Sequence, residues 1–549
     1  MKSKMKLVAM AAFGALFLSV PEAEAKLSGE RVFEVGARWL MIPVRNGEKK
    51  NTRVEVFAED RMAEGFSMGV TAADPDWYAV YDVSPWKGRN VTLRIYDDDR
   101  AADVLKLCRL SDDAPAPDGY DGERRPQFHF SPCRGWMNDP NGLSYYKGEW
   151  HLFFQHNPYG TGWGNMHWGH AVSKDLLHWR EVGEALSPDR LGDMFSGSAV
   201  IDAGNTAGFG GDAHVLVFTG TANGSTQSIA WSRDGRKYEK WTGNPVLPNV
   251  MGGNRDPRVF WHRPTKSWVM VLYLEEEKEH RVGIFASKDL KSWTRTGTVR
   301  GDACGKGAYL CECPELFELP VEGERTTRWV LFGANAEYAV GTFDGRVFAP
   351  EEERIPMFAG MGGYYASQTF GDVPDRRRIL LPWFKIQAPG MPFNQAAGLP
   401  RELRLKRFPE GLRVLQFPVR ELEGLREGKA VPFGSFEGEL AEAILDVRPA
   451  PSSRLVWSFR GVEISYDAAR GILGTPCGSM GWPLRKGRLE ARIFIDRTGM
   501  EIFSSDGLIC LPVDRALPET GNRKLALVKG AERAYDDRSR AYRLRSIWK

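Results

Sequence analysis

Three acidic residues lie in short segments built to aim a side chain. Asp139 sits in Trp136-Met137-Asn138-Asp139-Pro140-Asn141-Gly142. Pro140 and Gly142 fix a turn there, and Asn138 and Asn141 favour turn conformations. Asp256 sits in Asn254-Arg255-Asp256-Pro257 and Glu312 in Cys311-Glu312-Cys313-Pro314. An isolated Asn-Asp-Pro is more often an Asx-turn between strands than a site. The recurrence of acids in matching settings tips the balance. Three converging carboxylates serve two chemistries. One is a cation site such as calcium. The other is glycoside cleavage, which needs an acid and a nucleophile or base about one glycosidic oxygen. Cation sites favour clustered Asp with carbonyl ligands and few rings, whereas this pocket would hold Trp136, Trp163, Trp168, Phe195 and Trp383. Aromatic faces beside amides such as Asn138 and Gln155 suit a sugar ring. Sugar is therefore favoured over metal, and no cofactor is expected.

The elements that must bring these residues together are legible as repeats. Five short apolar runs recur, beginning at His151, Val215, Trp268, Trp329 and Ile379, with starts 64, 53, 61 and 50 residues apart. A second repeat keeps step: Ser173-Lys174-Asp175, Ser232-Arg233-Asp234 and Ser287-Lys288-Asp289, each followed four residues later by Trp179, Tyr238 or Trp293. Such a period fits a four-stranded propeller blade, and five periods predict five blades. Asp139 and Asp256 each precede an apolar run by 12 residues, and Glu312 precedes one by 17. If the runs are middle strands, these acids face the central axis. Phe195-Ser196-Gly197-Ser198 and Tyr365-Ala366-Ser367-Gln368 would supply walls from the two other blades.

The chain has 549 residues, enough for about three domains. Lys and Arg exceed Asp and Glu by only three, so no basic surplus points to nucleic acid. Lys2, Lys4 and Lys6, the apolar run Leu7 to Val20 and Ala23-Glu24-Ala25 read as a secretory signal cleaved near Ala25. No later apolar run is long enough for a membrane span. Seven cysteines are too few, and odd in number, for a disulfide scaffold. Residues 26–123 alternate as strands at Val54-Glu55-Val56 and Val91 to Ile95, with Tyr78, Tyr81 and Trp86 as candidate core. They predict a small β-sandwich-like domain that braces its neighbour or binds carbohydrate. Asp112 to Asp121 reads as a linker. Residues 126–425 would form the propeller. Residues 430–549 alternate at Leu455, Trp457, Phe459 and at Leu489, Ala491, Ile493, Ile495, a second β-sandwich.

The Trp136 to Gly142 segment, Phe195-Ser196-Gly197-Ser198, Arg255-Asp256-Pro257 and Glu312-Cys313-Pro314, in that order, resemble the successive signature motifs of glycoside hydrolase family 32. That family holds invertases, inulinases, levanases and related β-fructofuranosidases. The resemblance covers about residues 126–549, because Arg492 to Arg497 and Glu501-Ile502-Phe503 resemble the signature strands of the family's C-terminal sandwich. It implies an all-β chain: a five-bladed propeller, a C-terminal sandwich and, outside the family core, the extra N-terminal domain. By position, Asp139 matches the nucleophile, Glu312 the general acid/base, and Asp256 the residue that grips fructose hydroxyls. Asn138, Gln155, Trp163, Phe195, Ser196 and Arg255 match sugar-contacting positions. Trp383, at a strand end after Pro382, is a candidate pocket wall; Trp168 is as well placed for core as for pocket. Glu315 stands where the family commonly has aspartate, and Gly362 to Tyr365 lacks an acid often found there.

These readings predict an exported retaining hydrolase that removes fructose from fructan ends, with levan slightly favoured because Met391 to Gln395 resembles a segment of levanase-like enzymes. A fructosyltransferase and a non-catalytic fructan binder are the alternatives. Glu312 is expected to hold its proton near neutrality, raised by burial and neighbouring carboxylates. Arg255 is expected to keep Asp256 ionised.

Overall fold

The computed structural model describes residues 25–548, apart from 223, 277–278, 301–310, 336 and 359–362. The signal segment, Cys304 and Gly362 thus lie outside the described residues, save that Ala25 itself is included. Strands make up nearly all of the regular secondary structure, in a β-propeller joined to a β-sandwich, and no described helix is long and apolar enough to cross a membrane.

The central part is five successive antiparallel sheets. Their first strands are Gly135–Tyr146, Met194–Asp202, Arg255–His262, Glu315–Pro320 and Tyr364–Thr369. Each apolar run lies in the second strand of its sheet: Glu149–Asn157, Ala213–Gly220, Ser267–Glu276, Thr327–Phe332 and Arg378–Phe384. A second strand is covered on both faces by neighbouring sheets, so it reads as a continuous apolar run rather than an alternation. Leu152, Phe153 and Phe154 are all fully buried. The Ser-basic-Asp repeats are turns between third and fourth strands. Ser173 Oγ donates to Asp175 Oδ1 at 3.0 Å, and Asp175 Oδ1 accepts the backbone N–H groups of Leu177 and His178. Asp234 and Asp289 repeat this arrangement, so that repeat is architectural.

The ring is closed by later chain. Phe393–Asn394 pairs in parallel with Gly135 and Trp136, and Gly371 exchanges backbone hydrogen bonds with Leu143 and Tyr145. The fifth sheet is thereby sewn to the first.

Ahead of the propeller, a four-stranded and a three-stranded sheet enclose a shared core including Leu40, Ile42, Val54, Val56, Leu93 and Ile95. Tyr81 and Trp86 pack on it as expected. Tyr78 does not. In strand Trp77–Asp82 the inward residues are Trp77, Ala79 and Tyr81, and Tyr78 faces outward beneath the Arg109 guanidinium at 3.9 Å. The period of two sets this phase. The linker is anchored: Asp118 forms a two-pronged ion pair with the fully buried Arg125, whose guanidinium lies 3.8 Å over Phe393.

Behind the propeller, two sheets close on Leu455, Trp457, Phe459, Ile493 and Ile495. A buried network joins this sandwich to the propeller's entry. Asp496 accepts the N–H groups of Gln127 and Phe128 and meets His129 Nδ1 at 2.8 Å, while Glu501 pairs with Arg401 at 3.2 Å. Burial opposes the His129 charge, but Asp496 and Glu501 outweigh it and raise its pKa to about 9. A folded pKa above the unfolded value of 6.5 means the stabilisation is full below pH 6.5 and is lost as pH rises through about 9. His129→Ala is expected to cost about 3–5 kcal/mol by leaving the buried Asp496 without its cation. Thermal melts at pH 6 and pH 9 check both effects; an unchanged melting temperature at pH 6 would refute them.

Candidate active site

The residues that face the ring's centre sit where four of the first strands break their register and, for Glu312 and Cys313, just ahead of the fourth sheet's first strand. Pairing with the second strand shifts between Met137 and Pro140, between Phe195 and Gly197, between Arg255 and Arg258, and between Tyr365 and Gln368. The unpaired residues are therefore Asn138 and Asp139, Ser196, Asp256 and Pro257, and Ala366 and Ser367. A bulge frees one or two residues from the ladder and re-aims their side chains. Asp256, Glu312, Cys313 and Ala366 also adopt positive φ, at 63°, 52°, 39° and 45°. Non-glycine residues pay strain for that conformation, and such strain concentrates at functional sites. Gly142 has φ 55°, and a Cβ there would lie 2.7 Å from Phe153, so only glycine serves.

The three carboxylates converge. Asp139 accepts hydrogen bonds from Ser196 Oγ at 2.6 Å and Asn138 Nδ2 at 3.0 Å. Asp256 Oδ2 accepts the Cys313 N–H at 3.0 Å, and its own N–H donates to Thr219 Oγ1 at 3.1 Å. Cys313 Sγ lies 3.6 Å from Oδ2 of both Asp139 and Asp256, so those two oxygens are within twice that distance of each other. Glu312 takes a hydrogen bond from Arg255 Nη2 at 2.6 Å on one oxygen and from the Tyr365 hydroxyl at 2.5 Å on the other.

These contacts overturn the expected electrostatics. Arg255 reaches Glu312 at 2.6 Å but approaches Asp256 only to 3.9 Å. Burial pushes Glu312 upward, yet Arg255 and Tyr365 together hold it below the ordinary value. Asp256 is pushed up to about 7 by burial, with Glu312 and Asp139 adding to it and Arg255 only partly opposing. Burial also raises Asp139, against the hydrogen bonds of Ser196 and Asn138. The pKa of Asp256, and not that of Glu312, is thus pushed up toward neutrality.

The expected sugar-contacting residues distribute around this centre. Asn138 and Ser196 touch Asp139 directly. Trp163 is 58% exposed and meets the Phe195 ring edge-on at 6.0 Å, so it stands at the entrance. Trp383 packs edge-on against Trp136 and Tyr365 and donates to Gln395 Oε1 at 3.0 Å. Gln155 is buried and donates to the Met194 carbonyl, one residue from Phe195. Trp168 is fully buried, its Nε1 donating to the Phe195 carbonyl, and belongs to the core. Glu315 is buried and joined to Arg258 and Thr369, a tie between sheets.

Three contributors were not singled out as site residues by sequence. Tyr365 was read as wall and proves to be a partner of Glu312. Cys313 offers its N–H and thiol to two carboxylates; burial first, then its acidic neighbours, keep the thiol protonated. Lys385 lies 4.3 Å from the Tyr365 ring centroid and 5.1 Å from that of Trp383. The cue for Tyr365 and Cys313 was proximity to the motifs; Lys385 carried none.

Comparison with known proteins agrees with this geometry. The family profile described as the glycosyl hydrolases family 32 N-terminal domain matches residues 129–418. A levanase from Bacillus subtilis (strain 168) is 37% identical over 486 residues, covering 77% of this chain and 71% of the relative. An extracellular exo-inulinase from Meyerozyma guilliermondii is 38% identical over 309 residues, covering 51% of this chain and 59% of the relative. The crystal structure of exo-inulinase from Aspergillus awamori superposes with a TM-score of 0.69 at 28% identity, covering 78% of this chain and all of that one. The matched stretch begins at the same residue, His129, that ties the sandwich to the propeller, and it encloses all three convergent carboxylates; the chain belongs to glycosyl hydrolase family 32.

Proposed function

We propose that the protein is an exported, retaining, exo-acting β-fructosidase that releases terminal fructose from fructans, levan above inulin or sucrose. The observation that carries the reading is the meeting of Asp139, Asp256 and Glu312 around Cys313 and Arg255. The similarity to levanase and exo-inulinase supports the substrate class, and the relative named extracellular supports export after cleavage near Ala25. The five sheets are taken as five blades at residues 126–425, between an N-terminal domain at 26–123 and a C-terminal sandwich at 430–549.

In this reading Asp139 attacks the anomeric C2 of fructose while Glu312 protonates the departing oxygen. Glu312 then takes a proton from water, whose oxygen displaces Asp139 from C2. Two inversions give retention. Ser196 and Asn138 orient the attacking carboxylate. Asp256 accepts fructose hydroxyls as hydrogen-bond donors, which favours its ionised form. In this reading its proton then passes to Glu312, where the negative charge left on Asp256 works against the pull of Arg255. Asn138, Gln155, Trp163, Phe195, Ser196, Arg255 and Trp383 bound the sugar.

Incubation with levan, inulin and sucrose, with products resolved by length, tests the whole reading. Fructose alone from the outset is expected, fastest from levan. Oligomers as first products would mean an endo-acting enzyme. Longer products at high sucrose would mean transfer. No release at all would leave a fructan binder.

A further inference from the structure

A cavity of 660 Å³ lies beside the carboxylates without containing them, and three parts of the chain build it. Asn46 comes from the N-terminal domain, Thr161 from the loop that carries Trp163, Lys385, Gln387 and Met391 from the segment after the fifth sheet's second strand, and Asp514 from the C-terminal sandwich. Lys385 is the join to the reacting centre, since its ammonium also faces the Tyr365 and Trp383 rings. Burial lowers the Lys385 pKa against the opposing pull of Asp139, Asp514 and Glu312, so those charges lie within reach of it.

The N-terminal domain holds both sides of this cavity. Asn46 Nδ2 donates to the Met391 carbonyl at 2.9 Å, and Asn46 Oδ1 is itself fixed by Trp77 Nε1 at 2.8 Å. Ser67 exchanges two backbone hydrogen bonds with the Asn165 amide, at 3.1 and 2.8 Å. Glu64 accepts from the Tyr159 hydroxyl and from His167 Nε2, and Phe66 stacks on Tyr159 with centroids 3.7 Å apart. Residues 159 to 167 are the loop that presents Thr161 and Trp163. Asn394 Nδ2 closes the frame by donating to the Thr161 carbonyl at 3.3 Å.

We propose that this cavity binds the fructosyl units that follow the first unit past the scissile bond, and that the N-terminal domain, through Asn46, Glu64 and Ser67, is a positioning element for long substrates. The inference rests on the fructosidase reading for the identity of the ligand. Its volume falls within the range of small-ligand sites. Its lining suits a hydroxyl-rich chain: an ammonium, a guanidinium, a carboxylate and three amides among the apolar surfaces of Met391, Pro389 and Leu517. A chain threaded from the carboxylates past Lys385 into this space would touch all three domains, whereas sucrose would end before it.

The test uses full-length protein in an Asp139→Ala background, so that binding is read without turnover. Gln387 is exposed, and Gln387→Trp fills the cavity while giving up only its exposed hydrogen bond from Asn394 Nδ2; Asn46→Ala releases the Met391 segment. Calorimetric titration with levan oligomers of six or more units is expected to show at least tenfold weaker binding in both variants, with sucrose affinity within twofold of the parent. In the active background, kcat/KM for the same oligomers should fall in parallel, through KM rather than kcat. Equal losses for sucrose and oligomers, or none for oligomers, overturn the inference. Chain-length-dependent binding in a parent that releases no fructose would instead sink the fructosidase reading and keep the cavity assignment.

Discussion

Asp139→Ala is expected to lower fructose release by about 10⁴-fold or more, the scale seen when a nucleophile is deleted from a unit that acts together. KM should change little, because Asp139 is asked for a covalent bond rather than for grip. Both of its oxygens are committed: one to Asn138, the other to Ser196 and the Cys313 thiol. That arrangement gives the carboxylate one direction, and replacing it by methyl leaves Glu312, Arg255 and Tyr365 untouched. The variant should therefore fold and bind substrate as the parent does. Added azide is expected to restore part of the turnover by entering the vacated space, with a fructosyl azide of inverted configuration as product. Turnover within tenfold of the parent would sink the nucleophile assignment, and rescue by azide with retained configuration would sink the retaining mechanism.

The sequence carried the frame because each blade repeats one physical demand. A second strand buried on both faces must be apolar, and a turn between third and fourth strands must satisfy its own N–H groups, so runs such as Val215 to Phe218 and turns such as Ser232 to Asp234 stand out. The convergence of Asp139, Asp256 and Glu312 followed from their similar offsets, 12, 12 and 17 residues ahead of an apolar run. What stayed hidden depends on direction rather than on composition. No residue type announces that Asp256, Glu312 and Cys313 take positive φ, although that conformation turns two of the acids inward. Arg255 was assigned to its chain neighbour, but the register break after Arg255 and the positive φ of Asp256 re-aim that carboxylate, and the guanidinium reaches an acid 57 positions away. Trp168 and Trp163 are five residues apart and look alike in sequence; one is sealed between sheets and the other stands at the mouth. The N-terminal domain showed no chemistry because its contribution is made through an amide on a carbonyl and a carboxylate on a buried histidine, contacts that leave no motif.

Glu312→Gln is expected to cost about 10²- to 10⁴-fold in kcat on sucrose or levan, the usual contribution of a positioned acid–base group. The amide oxygen can still accept from Arg255 while the amide N–H donates to the Tyr365 oxygen, so the geometry survives while the proton does not. An aryl β-fructoside, whose leaving group departs without protonation, should form the fructosyl-enzyme at nearly the parent rate and then stall, giving a burst equal to the enzyme concentration. The pH profile separates this role from a structural one. In the parent, kcat/KM should fall as pH rises through about 7, where Asp256 loses the proton that substrate binding would pass to Glu312. Above that pH the three carboxylates together hold no proton to give to the leaving oxygen. In Glu312→Gln no acid remains to be supplied, so the residual activity should lack this decline. Arg255→Leu removes the cation that holds Glu312 low and lightens the load on Asp256. Both carboxyls then keep their protons to higher pH, and the decline should move upward even as binding weakens. A parent profile flat from pH 6 to 9, or a Glu312→Gln profile that keeps the decline at near-parental rates, would place the acid elsewhere in the site.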